Sequence, residues 1–267
     1  MTLITVSNTR DSGSGSLREA IASAQSGDTI QFSSTLADQT ITLTNGDIDI
    51  SKSITIDGST APNLLISGNE SSRIFYIDKF QSVTVKDLTF IKGREISSND
   101  IKGEGGAIKV RQYGHLVIEN SNFIGNVAER GGAVHLGYGA SATVTNSLFD
   151  RNDGSIADDG FSGGAIATFG GGDGSKINHN RAESDVPGTG FLDIRNTTFT
   201  NNKGVNGAVY TLLSGLRVED SIFRNNEGIR GSGAIFTDGA NGNQRADDIG
   251  GTTIIRNVIA ENNIGGN

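Results

Sequence analysis

The chain has 267 residues, 34% of them hydrophobic, with 38 Gly, 2 Pro, no Cys and no Trp, and 22 Lys+Arg against 30 Asp+Glu give a net charge of −8. Without cysteine, disulfides and thiolate metal sites are excluded, and without a basic stripe interleaved with aromatics nucleic acid is not an expected partner. No apolar run approaches the length of a membrane span, and sparse apolar content with abundant Gly suits a narrow repeated interior better than a wide globular core.

Residues 1–10 lack a basic n-region and an apolar h-region, so no removable signal peptide is expected there and export would need a signal outside these residues. Residues 13–25 carry the one helical signal. Ser16-Leu17-Arg18-Glu19 reads as a capping box, with Ser16 as N-cap and Glu19 reaching back. Leu17, Ala20, Ile21 and Ala24 form an apolar stripe at helical spacing, and Gly27 stops it. A short helix here would cover the open end of a strand stack. Period-two alternation then predicts strands at Thr29 to Phe32, Ile41 to Leu43, Ile54 to Asp57 and Val83 to Phe90.

From residue 105 a phrase recurs, Gly-Gly-Ala followed by an aliphatic residue: Gly105-Gly106-Ala107-Ile108, Gly131-Gly132-Ala133-Val134 and Gly163-Gly164-Ala165-Ile166. It decays to Asn206-Gly207-Ala208-Val209 and Ser232-Gly233-Ala234-Ile235. The copies are 26, 32, 43 and 26 residues apart, a base period near 26 with polar insertions. A second phrase, Asn or Asp, then Phe three residues later, then Asn three further, begins at Asn120, Asn146, Asn196 and Asp220, with an eroded copy at Asn257. Phe123, Phe149, Phe199 and Phe223 should therefore stack inside, and Asn126, Asn152, Asn202 and Asn226 should form a structural ladder of side-chain amides at a corner. Outward columns of opposite charge, Asp193 over Arg217 and Arg195 over Glu219 over Arg256, fit parallel in-register stacking.

These residues predict an all-β chain, a right-handed parallel β-helix with a short N-terminal capping helix, the hand following from the crossover rule. One domain spans 1–267: a cap at 1–28, irregular first coils at 29–104, and repeated coils at 105–267 with insertions near 155–162, 170–190 and 238–251. Asp11-Ser12-Gly13-Ser14-Gly15-Ser16-Leu17-Arg18-Glu19-Ala20-Ile21, with Gly27-Asp28-Thr29-Ile30 after it, resembles the SLREA N-terminal motif of bacterial surface and secreted repeat proteins. The repeats resemble those of polymorphic-outer-membrane-protein-like and right-handed β-helix proteins, notably exported cyanobacterial ones; Ser16 stands where such proteins often carry Cys. The resemblance implies an extracellular or cell-surface location, and a superfamily that mixes adhesins, structural proteins and polysaccharide-acting enzymes.

Three sets of side chains are candidates for function. Lys109 and His135 fall one coil apart in an outward column, with Arg111 two residues from Lys109, which makes a lyase-like patch of base and cations with no acidic partner in its column. Tyr113, Tyr138 and Phe169 precede Gly at successive corners and could hold sugar rings against exposed aromatic faces. Asp158-Asp159 and Asp247-Asp248 are candidate calcium ligands, though no cofactor is required. The chain stops where another Gly-Gly-Ala would begin, which fits either truncation or a C-terminal end that meets another copy. The favoured function is a non-enzymatic structural or adhesive rod, self-associating or bound to extracellular polysaccharide. The alternatives are a polysaccharide lyase, epimerase or hydrolase, and a carbohydrate-binding module without turnover.

Overall fold

The structure, a computed structural model, describes residues 1–96, 103–156, 160–169, 190–238 and 252–266. Among these, thirty strands make four sheets of nine, eight, seven and six strands, and within each sheet the neighbours follow chain order. Every pairing is parallel, as between His115–Glu119 and Ser141–Thr145, Asn122–Ile124 and Leu148–Asp150, or Ile108–Val110 and Val134–Leu136. Each full coil thus lays one strand on each wall and returns one rung further along, the arrangement of a parallel β-helix.

The first corner of each coil turns on the leading residue of the second phrase. Asn120, Asn146, Asn196, Asp220 and Asn257 all sit in the left-handed region, at φ between 46° and 51°, where Asn and Asp are tolerated better than other side chains. The closing Asn of the phrase has a separate role. Asn126, Asn152, Asn202 and Asn226 are fully buried, and each amide nitrogen donates to the side-chain oxygen of the next, at 3.0, 3.0, 3.0 and 2.8 Å, ending on Asn263. Each also donates to a backbone carbonyl in the preceding coil, for example Asn152 to Phe123 at 2.9 Å. Beside this ladder Phe90, Phe123, Phe149, Phe199 and Phe223 stack with centroids 4.7–4.9 Å apart; each stacked pair adds about 0.5–1.5 kcal/mol to its area burial.

The Gly-Gly-Ala phrase lies between the six- and seven-stranded walls. A Cβ on Gly132 would collide with Gly164 O and with the backbone of Asp153. Two walls meet there backbone to backbone, and only glycine fits.

The coils before residue 105 lack the phrase yet share the register of those after it. Phe75–Ile77 pairs Ile108–Val110, Ser82–Lys86 pairs His115–Glu119, and Phe90 extends the Phe file, but the first two coils lay strands on three walls only, since the six-stranded wall begins at Arg94–Glu95. The predicted strand Val83 to Phe90 is broken by Asp87 at φ 55° into Ser82–Lys86 and Thr89–Ile91, on two walls.

The cap helix is Leu17–Ser23, with Leu17, Ala20 and Ile21 buried and Ser16 Oγ accepting from Glu19 N at 3.2 Å. Glu19 reaches back to Gly15 N, at 2.8 Å. Arg18 ties the helix to the coil below through Asp47 O and Gly46 O, both at 2.7 Å.

Candidate functional site

The outer face of the seven-stranded wall carries the candidate side chains. Its central outward column runs Asp49, Tyr76, Lys109, His135, Ala167, Tyr210 and Phe236, each beside the next in register. Lys109 and His135 are neighbours as the repeat implies, but the outer face is not open there. His135 is only 2% exposed, with the Phe169 ring 5.1 Å from its own. Ala167, Phe169, Tyr210 and Leu212 form a second, smaller apolar cluster outside the main core, against Phe161 and Phe236.

An acid stands in this patch after all. Glu104, immediately before Gly105, forms a parallel bridge with Arg130, immediately before Gly131. Its carboxylate ion-pairs with Lys109 Nζ, with Arg130 Nη1 at 3.4 Å and faces His135 Nε2 at 3.7 Å. Arg130 also lies over the Phe169 ring, 4.8 Å from its centroid. Behind Glu104, Arg73 donates through Nε to Glu104 O and Gly105 O, both at 3.0 Å, and pairs with Asp47 at 3.0 Å and Glu95 at 3.4 Å. The cations Arg73, Lys109 and Arg111 surround the Tyr76 ring at 5.3, 5.8 and 5.8 Å.

Burial alone would raise the Glu104 carboxyl; the attraction of His135 when protonated, of Lys109 and of Arg130, with the Lys109 hydrogen bond, outweighs it and holds the group at about 2. His135 goes the other way. Burial pushes its imidazole down to about 4, against the attraction of Glu104 and with the repulsion of Lys109, Arg130 and Arg73. At neutral pH the imidazole is therefore uncharged, and the attraction of Lys109 and Arg130 still favours the ionised Glu104. Among the described residues neither ring nitrogen of His135 has a hydrogen-bond partner, an expensive state that sets it apart from most buried histidines.

As chemistry the cluster is closed on itself. Lys109, the base a proton abstraction would call on, is bound to Glu104 with a side chain only 20% exposed, and His135 has almost no contact with solvent. Arg111 lies apart and is neutralised by Asp78 at 2.8 Å.

The aromatic column is redrawn by the structure. Tyr113 and Tyr138 do meet, edge to face with centroids 5.3 Å apart. Phe169 does not join them: it is 4% exposed, lies on a strand opposite Leu212, and covers Arg130 and His135. The third ring is Phe80, stacked on Tyr113 at 5.4 Å and 9°, and 63% exposed. Asp158, Asp159, Asp247 and Asp248 lie outside the described residues, among which no group of three or more potential metal ligands occurs. Nor is any helix among them long and apolar enough to cross a membrane.

Glu104, Arg130, Tyr76 and Phe80 are the residues sequence reasoning missed. A signal for the first two exists: both occupy the position just before the Gly-Gly pair, one 26-residue period apart. Tyr76 and Phe80 belong to a coil without the phrase, where nothing in the repeat marks the column.

The family model for the right handed β-helix region matches residues 76–249. Among solved structures the chain is similar to the PL6-family alginate lyase AlyGC, with 15% identity and a TM-score of 0.31 over 88% of this chain and 40% of that one. It is similar also to the pectate lyase Pel9A, with 13% identity and a TM-score of 0.27 over 92% of this chain and 78% of that one. The chain thus spans 40% of the length of the alginate lyase, and at these values neither similarity bears on the site. No curated protein matches the sequence.

Proposed function

The chain belongs to the right-handed β-helix family, and from that premise we propose that it acts without catalysis, as a stiff structural and adhesive rod outside the cell. The observation that carries this reading is the closure of the Glu104 cluster: each candidate base or cation is spent on an internal partner or on burial. An elimination or hydrolysis site needs a base or paired carboxyls reachable by the sugar. The unbroken Asn and Phe files support stiffness, because each coil is held to the next by the same contacts. The SLREA-like cap supports export.

Incubation with polygalacturonate, alginate and neutral glucans should give neither new unsaturated uronate ends nor new reducing ends. Negative-stain images should show a short rod, with end-to-end assembly read as a change in its length with concentration. Turnover of any of these polymers that is lost in Lys109→Ala would replace the rod by the lyase reading.

A further inference from the structure

Non-glycine residues stand in the left-handed region at several corners of the coils, Glu70, Lys92 and Arg151 among them, but at one corner they are aromatic. Phe80, at φ 64°, and Tyr113, at φ 58°, occupy the left-handed region, where a bulky side chain is an outlier and glycine is unstrained. They are equivalent positions: Phe80 N donates to Gln112 O at 3.2 Å and Tyr113 N to Tyr138 O at 3.0 Å. In the following coil the same left-handed position is taken by Gly139, at φ 64°, so the fold accepts glycine at this corner. Leu213, further along at φ 51°, packs against the small apolar cluster of Phe169 and Tyr210, which accounts for its side chain. Phe80 has no such reason, since it stacks on Tyr113 and leaves 63% of itself in solvent. Strain retained where a ring is displayed points to use of the ring.

The surroundings define what the rings would meet. Phe80, Tyr113 and Tyr138 form a file of three aromatics one rung apart. Beside them stand hydrogen-bonding groups: the Arg111–Asp78 pair, each side chain more than a third exposed, the exposed Lys79 and the half-buried Gln112. Flat apolar faces flanked by fixed donors and acceptors complement a pyranose chain, whose CH faces stack and whose hydroxyls take hydrogen bonds. Arg111 and Asp78 neutralise one another, and the whole chain carries −8, which repels a polyanion at long range. We infer that the Phe80–Tyr113–Tyr138 corner binds a neutral polysaccharide. This rests on the reading of the chain as an adhesive rod and names what it adheres to.

The test is affinity electrophoresis in gels containing hydroxyethylcellulose, xylan, galactomannan or polygalacturonate, at physiological salt. Wild-type protein should be retarded by at least one neutral polymer and not by polygalacturonate. Phe80→Gly should weaken that binding about tenfold while its thermal midpoint stays at or above that of the wild type, because glycine relieves the backbone. Phe80→Tyr should keep the binding, and Tyr113→Gly should lose it with the fold intact. Retardation by polygalacturonate alone, by no polymer, or equally in wild type and Phe80→Gly would overturn the inference. None of those results touches the rod reading, which stands or falls on turnover.

Discussion

Asn152→Ala tests the element that sets the rung spacing. The Asn152 amide makes four side-chain hydrogen bonds: it accepts from Asn126 N and Asn126 Nδ2, both at 3.0 Å, and donates to Phe123 O at 2.9 Å and Asn202 Oδ1 at 3.0 Å. Alanine removes all four, and the buried Asn126 N–H loses the acceptor it has in this ladder. At about 1 kcal/mol net for each bond, the loss is roughly 4 kcal/mol, and an orphaned buried N–H keeps it from being smaller. Asn263→Ala is the control. Its side chain makes the same kind of contacts to Asn226 and Phe223, but it is only partly buried, so water can replace them and the cost should stay near 1 kcal/mol. Urea titrations followed by far-UV circular dichroism, with hydrogen exchange at the Asn126 and Asn202 amides, measure both variants. A repeat structure need not unfold in one step, so Asn152→Ala is also expected to divide the transition. Equal midpoint shifts in the two variants, or a shift below 1 kcal/mol for Asn152→Ala, would refute the ladder as a principal source of stability.

Three further outcomes follow from the site and the walls. His135 has a folded value of about 4 against an ordinary 6.5, so the unfolded chain takes up a proton that the folded one refuses; stability falls as pH drops from 6.5 towards 4 and levels off below. The wild type should lose about 2 kcal/mol relative to His135→Leu between pH 7.5 and pH 5, measured as the difference between their urea midpoints, and parallel profiles would contradict it. His115, also shifted down by burial, contributes equally to both proteins and cancels. Glu104→Gln leaves Lys109 without its counter-charge and takes one carboxylate from the nearly buried Arg130; it should cost about 3 kcal/mol in chemical denaturation, and a neutral result would mean the pairs are screened by solvent. Gly132→Ala forces a methyl group onto Gly164 O and Asp153 and should abolish soluble folded protein or lower its melting temperature by several degrees, whereas a melting temperature within a degree of wild type would show that the two walls can part.

Much of this was legible in the chain, because a solenoid repeats its environment and therefore its residues. Phe123, Phe149, Phe199 and Phe223 recur at one coil position since each meets its predecessor's ring, and the parallel register follows from their spacing. The glycines are bound to the repeat by a backbone contact that admits no Cβ. The division of labour between the two Asn columns was not legible, since both residues are Asn and only φ and burial separate them. The outer face was the hardest to read. Period-two alternation says that His135 points away from the core but not that Phe169 and Arg130 close over it, and a residue's second cover comes from contacts that no local pattern encodes. Phe169 illustrates the same limit from the other side: the Gly after it suggested a corner, while its strand carries the ring two positions beyond Ala167 into the outer cluster.

The ladder hydrogen bond from Asn126 to Asn152 spans 26 residues of sequence and the one from Asn152 to Asn202 spans 50, yet both measure 3.0 Å. Rung geometry is thus indifferent to how much polypeptide is spliced in between two corners. Such a scaffold can acquire, lengthen or exchange a graft at one coil with no correction elsewhere, so new binding specificities can be tried on it one segment at a time, by evolution or by hand.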